Sequence, residues 1–397
     1  MARALLLLLI VILSLTSIAL GAGENSCSIC HSDIKVDYQA SIHADYSVTC
    51  VDCHGGDPTI TGMGAMDEKI GFKGKPTRGE IPKLCAFCHS DVERMVPYNI
   101  PIDQYTEYLT SKHGILLAQG DTEVAVCTDC HGTHRILPAD APESMVYPQN
   151  VPQTCAKCHS DEKLMAKYGI PADQLEGFTR GVHGVALLRE GNRKAPDCAT
   201  CHGTHGAVPP GVSDVSKVCG QCHTKTREFF NESPHKQAMD QRKISECSSC
   251  HGNHAIEPPG HGLFDSTCSE CHSQDSESFL TGQKLKTVLV EAEEAVRRAE
   301  AELARAGERG FEVSAYRSRL LEAHSYLTEA FSIQHTLDLA RVKELTRKAR
   351  SLGEEIRGDA LALISSTKVR LVGLAIVWVL LTFAILVLYL YKRRQKD

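Results

Sequence analysis

Hydrophobic and polar residues are arranged in four successive ways along the chain, and each predicts a different kind of structure. Residues 4–20 form one apolar run behind Arg3. From Glu24 to Leu280, Gly, Pro, Ser and Asp are scattered throughout, which predicts short helices joined by loops and almost no sheet. From Gly282 the composition turns to Ala, Glu, Arg and Leu, and Leu285, Val288, Leu289, Ala292, Ala295, Val296, Ala299 and Leu303 recur as one helical stripe, broken at Gly307-Glu-Arg-Gly310. A second helix is expected from Glu312 to Ser365, roughly 80 Å if unbroken at about 1.5 Å per residue, with Gly353 and Gly358 as its weak points. The two are expected to form an antiparallel hairpin. Last, Leu371–Tyr391 carries no charge and is long enough to cross a bilayer core of about 30 Å.

The two ends bear on location. Arg3, the apolar run and Ala19-Leu20-Gly21 have the order of a secretory signal with a small-residue cleavage site, an uncleaved anchor being the alternative. Lys392, Arg393, Arg394 and Lys396 follow the C-terminal span against Lys368 and Arg370 before it, so the positive-inside bias places the short tail in the cytoplasm. A single-pass protein of the cytoplasmic membrane is expected, with most of the chain on the periplasmic or equivalent outer side.

The middle of the chain carries the chemistry. All 18 cysteines fall in nine Cys-x-x-Cys-His motifs: Cys27-Cys30-His31, Cys50-Cys53-His54, Cys85-Cys88-His89, Cys127-Cys130-His131, Cys155-Cys158-His159, Cys198-Cys201-His202, Cys219-Cys222-His223, Cys247-Cys250-His251 and Cys268-Cys271-His272. Two thiols at this spacing reach both vinyl groups of one porphyrin, and the adjacent imidazole comes up beneath the ring to bind iron. A lone Cys-x-x-Cys also makes zinc knuckles and redox dithiols, but nine complete motifs predict nine covalently bound haem c groups. With one Trp and 6% aromatics in the whole chain, no ordinary core is expected in this region, and porphyrins are expected to supply much of its buried apolar surface. The formal charge of -6 is made more negative by haem propionates, which favours cationic partner surfaces and argues against nucleic acid.

The motifs belong to repeats. Cys85-Ala-Phe-Cys-His-Ser-Asp, Tyr98-Asn-Ile-Pro and Ser111-Lys-His-Gly return 70 residues later as Cys155-Ala-Lys-Cys-His-Ser-Asp, Tyr168-Gly-Ile-Pro and Gly181-Val-His-Gly. Four repeats can be read, each an opening histidine (His43, His113, His183, His235) followed by two motifs, with the Cys27 motif in front. In three of them the first motif continues as His-Gly-x-His, adding His134, His205 and His254, whereas the first repeat has His54-Gly-Gly-Asp57. With His261, His324 and His335 there are ten histidines beyond the nine in the motifs, enough for a second imidazole on every iron. His324 and His335 lie on the long helices, 11 residues apart and on one face with Leu320, Leu327 and Phe331, so both are expected to point inward. No methionine recurs at a fixed offset from the motifs, and bis-imidazole ligation, which suits low-potential one-electron transfer, is expected.

Cys27-Ser-Ile-Cys-His31, Ser41-Ile-His43 and Cys50-Val-Asp-Cys-His54 resemble the opening of the NapC/NirT-type quinol-dehydrogenase cytochromes, and the His-Gly-x-His units resemble multihaem cytochromes c more widely. The resemblance implies electrons taken from a quinol-linked membrane complex and passed to periplasmic carriers. The chain departs from that group in its C-terminal anchor and its number of motifs. Its helical hairpin is similar in architecture to the C-terminal helices of multihaem nitrite reductases and hydroxylamine oxidoreductases.

The expected fold class is mainly α with extensive loops: a signal peptide at 1–21, a nonahaem cytochrome c domain at 22–280, a helical hairpin at 281–366, a transmembrane helix at 367–391 and a cytoplasmic tail at 392–397. The expected function is an extracytoplasmic electron relay in anaerobic respiration. A reductase or oxidase of a small nitrogen or sulfur compound, using one five-coordinate haem, and a scaffold subunit docking through the hairpin are the alternatives.

Overall fold

The computed structural model describes residues 26–208 and 214–395. The apolar N-terminal run and its cleavage pattern lie outside the described residues. Among those described there is no strand: the chain is a series of short helices followed by three long ones. It packs as two units, Met1–Val218 with Gly252–Pro258, and Cys219–His251 with Pro259–Asp397. The division falls inside the motif-bearing stretch, at Val218, with the last helical segments sharing a unit with the last motifs.

In the first unit a helix forms at each motif, and its exit differs by motif type. The first motif of a repeat ends in His-Gly, and Gly55, Gly132 and Gly203 turn the chain away with φ of +68°, +85° and +87°, a conformation open to glycine at little cost. The second motif ends in His-Ser-Asp, as in Ile81–His89 and Val151–His159, and Asp91 and Asp161 cap the next helix by accepting from the amides of Arg94 and Leu164. The opening histidines sit at tight turns. A side chain at Gly114, next to His113, would meet the Tyr108 carbonyl oxygen at 2.1 Å, and one at Gly184, next to His183, that of Phe178 at 1.9 Å.

The second unit has the larger core. Helices Glu277–Glu308, Ser314–Ile333 and Leu339–Arg394 pack together, and the expected stripe faces inward: Leu285, Leu289, Ala292, Ala295, Val296, Ala299 and Leu303 are all buried. The expected two-helix hairpin is corrected to three helices. The second ends at Ile333, a turn covers Gln334–Thr336, Leu337 takes φ +59°, and Asp338 caps the third helix by accepting from the amides of Ala340 and Arg341. Polar Asp338 after a left-handed residue stops one helix and starts the next, a junction that apolar spacing does not reveal. The third helix runs through Gly353 and Gly358 to Arg394 without a break. At Gly353 a Cβ would lie 3.0 Å from the backbone carbonyl carbon of Ala295, so this glycine permits close approach of two helix backbones. The same helix contains one stretch long and apolar enough to cross a membrane.

Candidate haem-binding array

Seven motif histidines each face one histidine from outside the motifs. In the first unit the ring centroids are 6.0 Å apart for His89 and His43, 6.3 Å for His54 and His134, 6.2 Å for His159 and His113, 6.1 Å for His131 and His205, and 5.9 Å for His202 and His254. In the second unit they are 6.1 Å for His272 and His235 and 6.2 Å for His251 and His335. Two imidazoles on opposite faces of one iron, each bound at about 2 Å, hold their centroids about 6 Å apart. The facing pairs therefore fit a six-coordinate iron, and the motif thiols lie beside them.

The pairing follows two rules. Openers face the second motif of their own repeat: His43 and His113 each stand 46 residues before His89 and His159. The second histidine of His-Gly-x-His faces the first motif of the preceding repeat, as His134 does His54 and His205 does His131. Backbone hydrogen bonds tie the two kinds of partner together. The amide of Ile42 donates to the Ile136 carbonyl at 2.8 Å and that of Val182 to the Ile256 carbonyl at 2.8 Å, so His43 sits beside the segment of His134 and His183 beside that of His254.

His335 plays for His251 the part that His-Gly-x-His plays elsewhere. Its Nδ1–H donates to the Ser332 carbonyl at 3.0 Å, leaving Nε2 as the ligating atom, and Nδ1–H of His54 donates to the Gly74 carbonyl at 2.9 Å. A backbone acceptor on the far nitrogen is the usual way of orienting a metal-binding imidazole. Burial pushes the pKa values of His43, His113, His131, His202 and His335 below the ordinary histidine value, which keeps them in the neutral form that binds iron.

Successive motifs touch. Cys85 lies beside Cys127, Cys155 beside Cys198 and Cys219 beside Cys247, joining the second motif of one repeat to the first of the next. Cys53 lies within electrostatic reach of Cys88, Cys130 of Cys155, and Cys250 of Cys268. Within each unit the attachment points thus follow one another in chain order.

Two expected ligands stand elsewhere. His261 Nε2 contacts Glu293 Oε2 at 2.7 Å and its ring lies 6.1 Å from Phe331, with no motif histidine opposite. His324 does not point inward as expected: its side chain is 45% exposed, 3.9 Å from Glu300. The helix ends between it and His335, so the shared face computed for one continuous helix does not apply to both. What sequence reasoning missed was the pairing itself, and the repeated 46-residue offset was the available signal.

Comparison with known proteins agrees with haem attachment at paired motifs. Residues 42–168 match the family model described as cytochrome c3, and residues 191–228 match the doubled CXXCH motif. The chain is 26% identical over 165 residues to the C-type polyheme cytochrome OmcC of Geobacter sulfurreducens, a match covering 34% of this chain. It spans 20% of that relative's length. No solved structure matches. The chain contains a cytochrome c3-type multihaem domain with paired attachment motifs, and is a multihaem c-type cytochrome with covalently bound haem.

Proposed function

We propose that the protein is a nonahaem electron relay, anchored in the cytoplasmic membrane by its C-terminal helix, carrying electrons between a quinol-linked membrane complex and periplasmic or outer carriers. The observation that carries this reading is the seven facing imidazole pairs, strung in chain order within each unit. Imidazole pairs already in place would let bound haem exchange single electrons with little rearrangement of the chain, and attachment motifs lying side by side would keep each hop short. The bound haem supplies the one-electron chemistry. The chain's residues hold it covalently, present an imidazole to each face wherever a facing pair stands and set the spacing. Cys27 to Cys271 and the motif histidines His31, His54, His89, His131, His159, His202, His223, His251 and His272 hold the groups, and His43, His113, His134, His183, His205, His235, His254 and His335 complete the irons.

The apolar stretch of the Leu339–Arg394 helix supports the anchor, and the basic residues after it support a periplasmic array. The intact mass of the mature protein is expected to show nine added haems. Reduction of membrane-bound protein by a quinol analogue, followed in the haem absorbance, tests the donor. If the detergent-purified protein with its native membrane complex takes no electrons from quinol, the relay is not quinol-linked.

A further inference from the structure

We propose that the haem on Cys27 and Cys30, bound by His31, receives no second imidazole from this chain and binds small exogenous ligands on that face, π-acceptor diatomics such as carbon monoxide when reduced. The inference goes beyond the relay and rests on haem attachment at this motif.

All 19 histidines lie among the described residues, and 14 of them form the seven facing pairs. Of the other five, His261 is bonded to Glu293 and His324 stands beside Glu300. His183 holds the opener position of the third repeat, whose second motif carries His223. His31 is left over.

Motif type gives the reason. Cys27-Ser-Ile-Cys-His-Ser-Asp has the His-Ser-Asp ending of the second motifs at Cys85 and Cys155. Those take their facing histidine from an opener, and the openers His43, His113 and His235 already face His89, His159 and His272. The other route, a downstream His-Gly-x-His, is closed as well. The first repeat has Asp57 there, and its Oδ1 accepts from the Thr59 amide at 2.8 Å and hydroxyl at 2.6 Å. Met63 and Met66 sit on the Gly62–Met66 turn, which packs directly against the Cys27–Cys30 turn. Facing imidazoles stand instead an iron's width away from the motif histidine. His31 and Cys30 are exposed, so this attachment segment lies at the surface.

The test uses the full-length holoprotein. Peptide mass first establishes haem on Cys27 and Cys30; its absence sinks the attachment reading and this inference with it. With haem present, the reduced protein is expected to bind about one carbon monoxide per chain, and the oxidised protein to show one high-spin haem by paramagnetic resonance. The double variant Cys27→Ser/Cys30→Ser is expected to lose both signals while the other eight haems keep their spectra. Should that variant fail to mature, the wild-type carbon monoxide stoichiometry and high-spin count decide alone. No carbon monoxide binding, or a sulfur-to-iron absorption band that disappears in Met63→Ala or Met66→Ala, overturns the proposal.

Discussion

The two units solve burial in different ways. Around the three long helices, Leu285, Leu289, Ala292, Val342, Ile356 and Ala360 are completely buried against one another, and the polypeptide alone supplies the core. In the unit that begins the chain, buried apolar side chains are few and scattered, such as Val126, Met165 and Leu187, while Ile29, Val36 and Phe87 are 64%, 67% and 66% exposed. Ile29 and Phe87 lie within motifs, where a porphyrin face is the expected apolar partner. One region is held by side chains meeting side chains; the other is organised around a covalent cofactor, and its polypeptide mainly orients imidazoles.

The largest effect expected from this contrast comes from withholding haem. Chain made without the attachment machinery is expected to lose the structure of the first unit to rapid proteolysis, while the long helices survive as a resistant fragment with a helical circular dichroism signal. Equal resistance of both regions would dissolve the contrast.

Leu289→Ala cuts a completely buried side chain from the helical core and is expected to cost about 2–5 kcal/mol in denaturant unfolding of that unit, with the haem spectra unchanged. Gly353→Val, at the close approach to Ala295, is expected to cost about 1–3 kcal/mol by forcing the helices apart. An unchanged midpoint would mean that the two backbones do not touch there.

In the haem-bearing region the corresponding change is spectroscopic. His134→Ala is expected to convert one haem, that of His54, from low to high spin and raise its reduction potential, leaving helical unfolding unaltered. Retention of every low-spin signal would refute the pairing rule. The smallest effect is expected for His261→Ala, which removes a partly exposed contact to Glu293: no new high-spin component and less than about 1 kcal/mol in stability.

Much of the helical end was legible in the sequence. Leu285 to Leu303 repeat at a local period that a helix turns into a face, and that face is buried. Gly353 was misread as a weak point because its reason lies in Ala295, on another helix. Likewise, the break at Leu337 depends on one left-handed residue and a capping carboxylate, not on hydrophobic spacing. At the candidate site the inventory of thiols and imidazoles was complete from the sequence, and the direction of His324 was wrong because the buried stripe of its helix runs through Leu320, Ala323, Leu327 and Ala330 and leaves His324 at its edge.

The chain by itself determined where porphyrins can attach, how many imidazoles are at hand and which segment can cross a membrane. These follow from covalent spacing, residue counts and length, all of which are local. Which imidazole faces which motif, and why His335 substitutes for a repeat histidine, were decided only in three dimensions. A facing pair is set by the positions of two backbone segments far apart in sequence, held by contacts such as Ile42 to Ile136, and no local pattern encodes that distance.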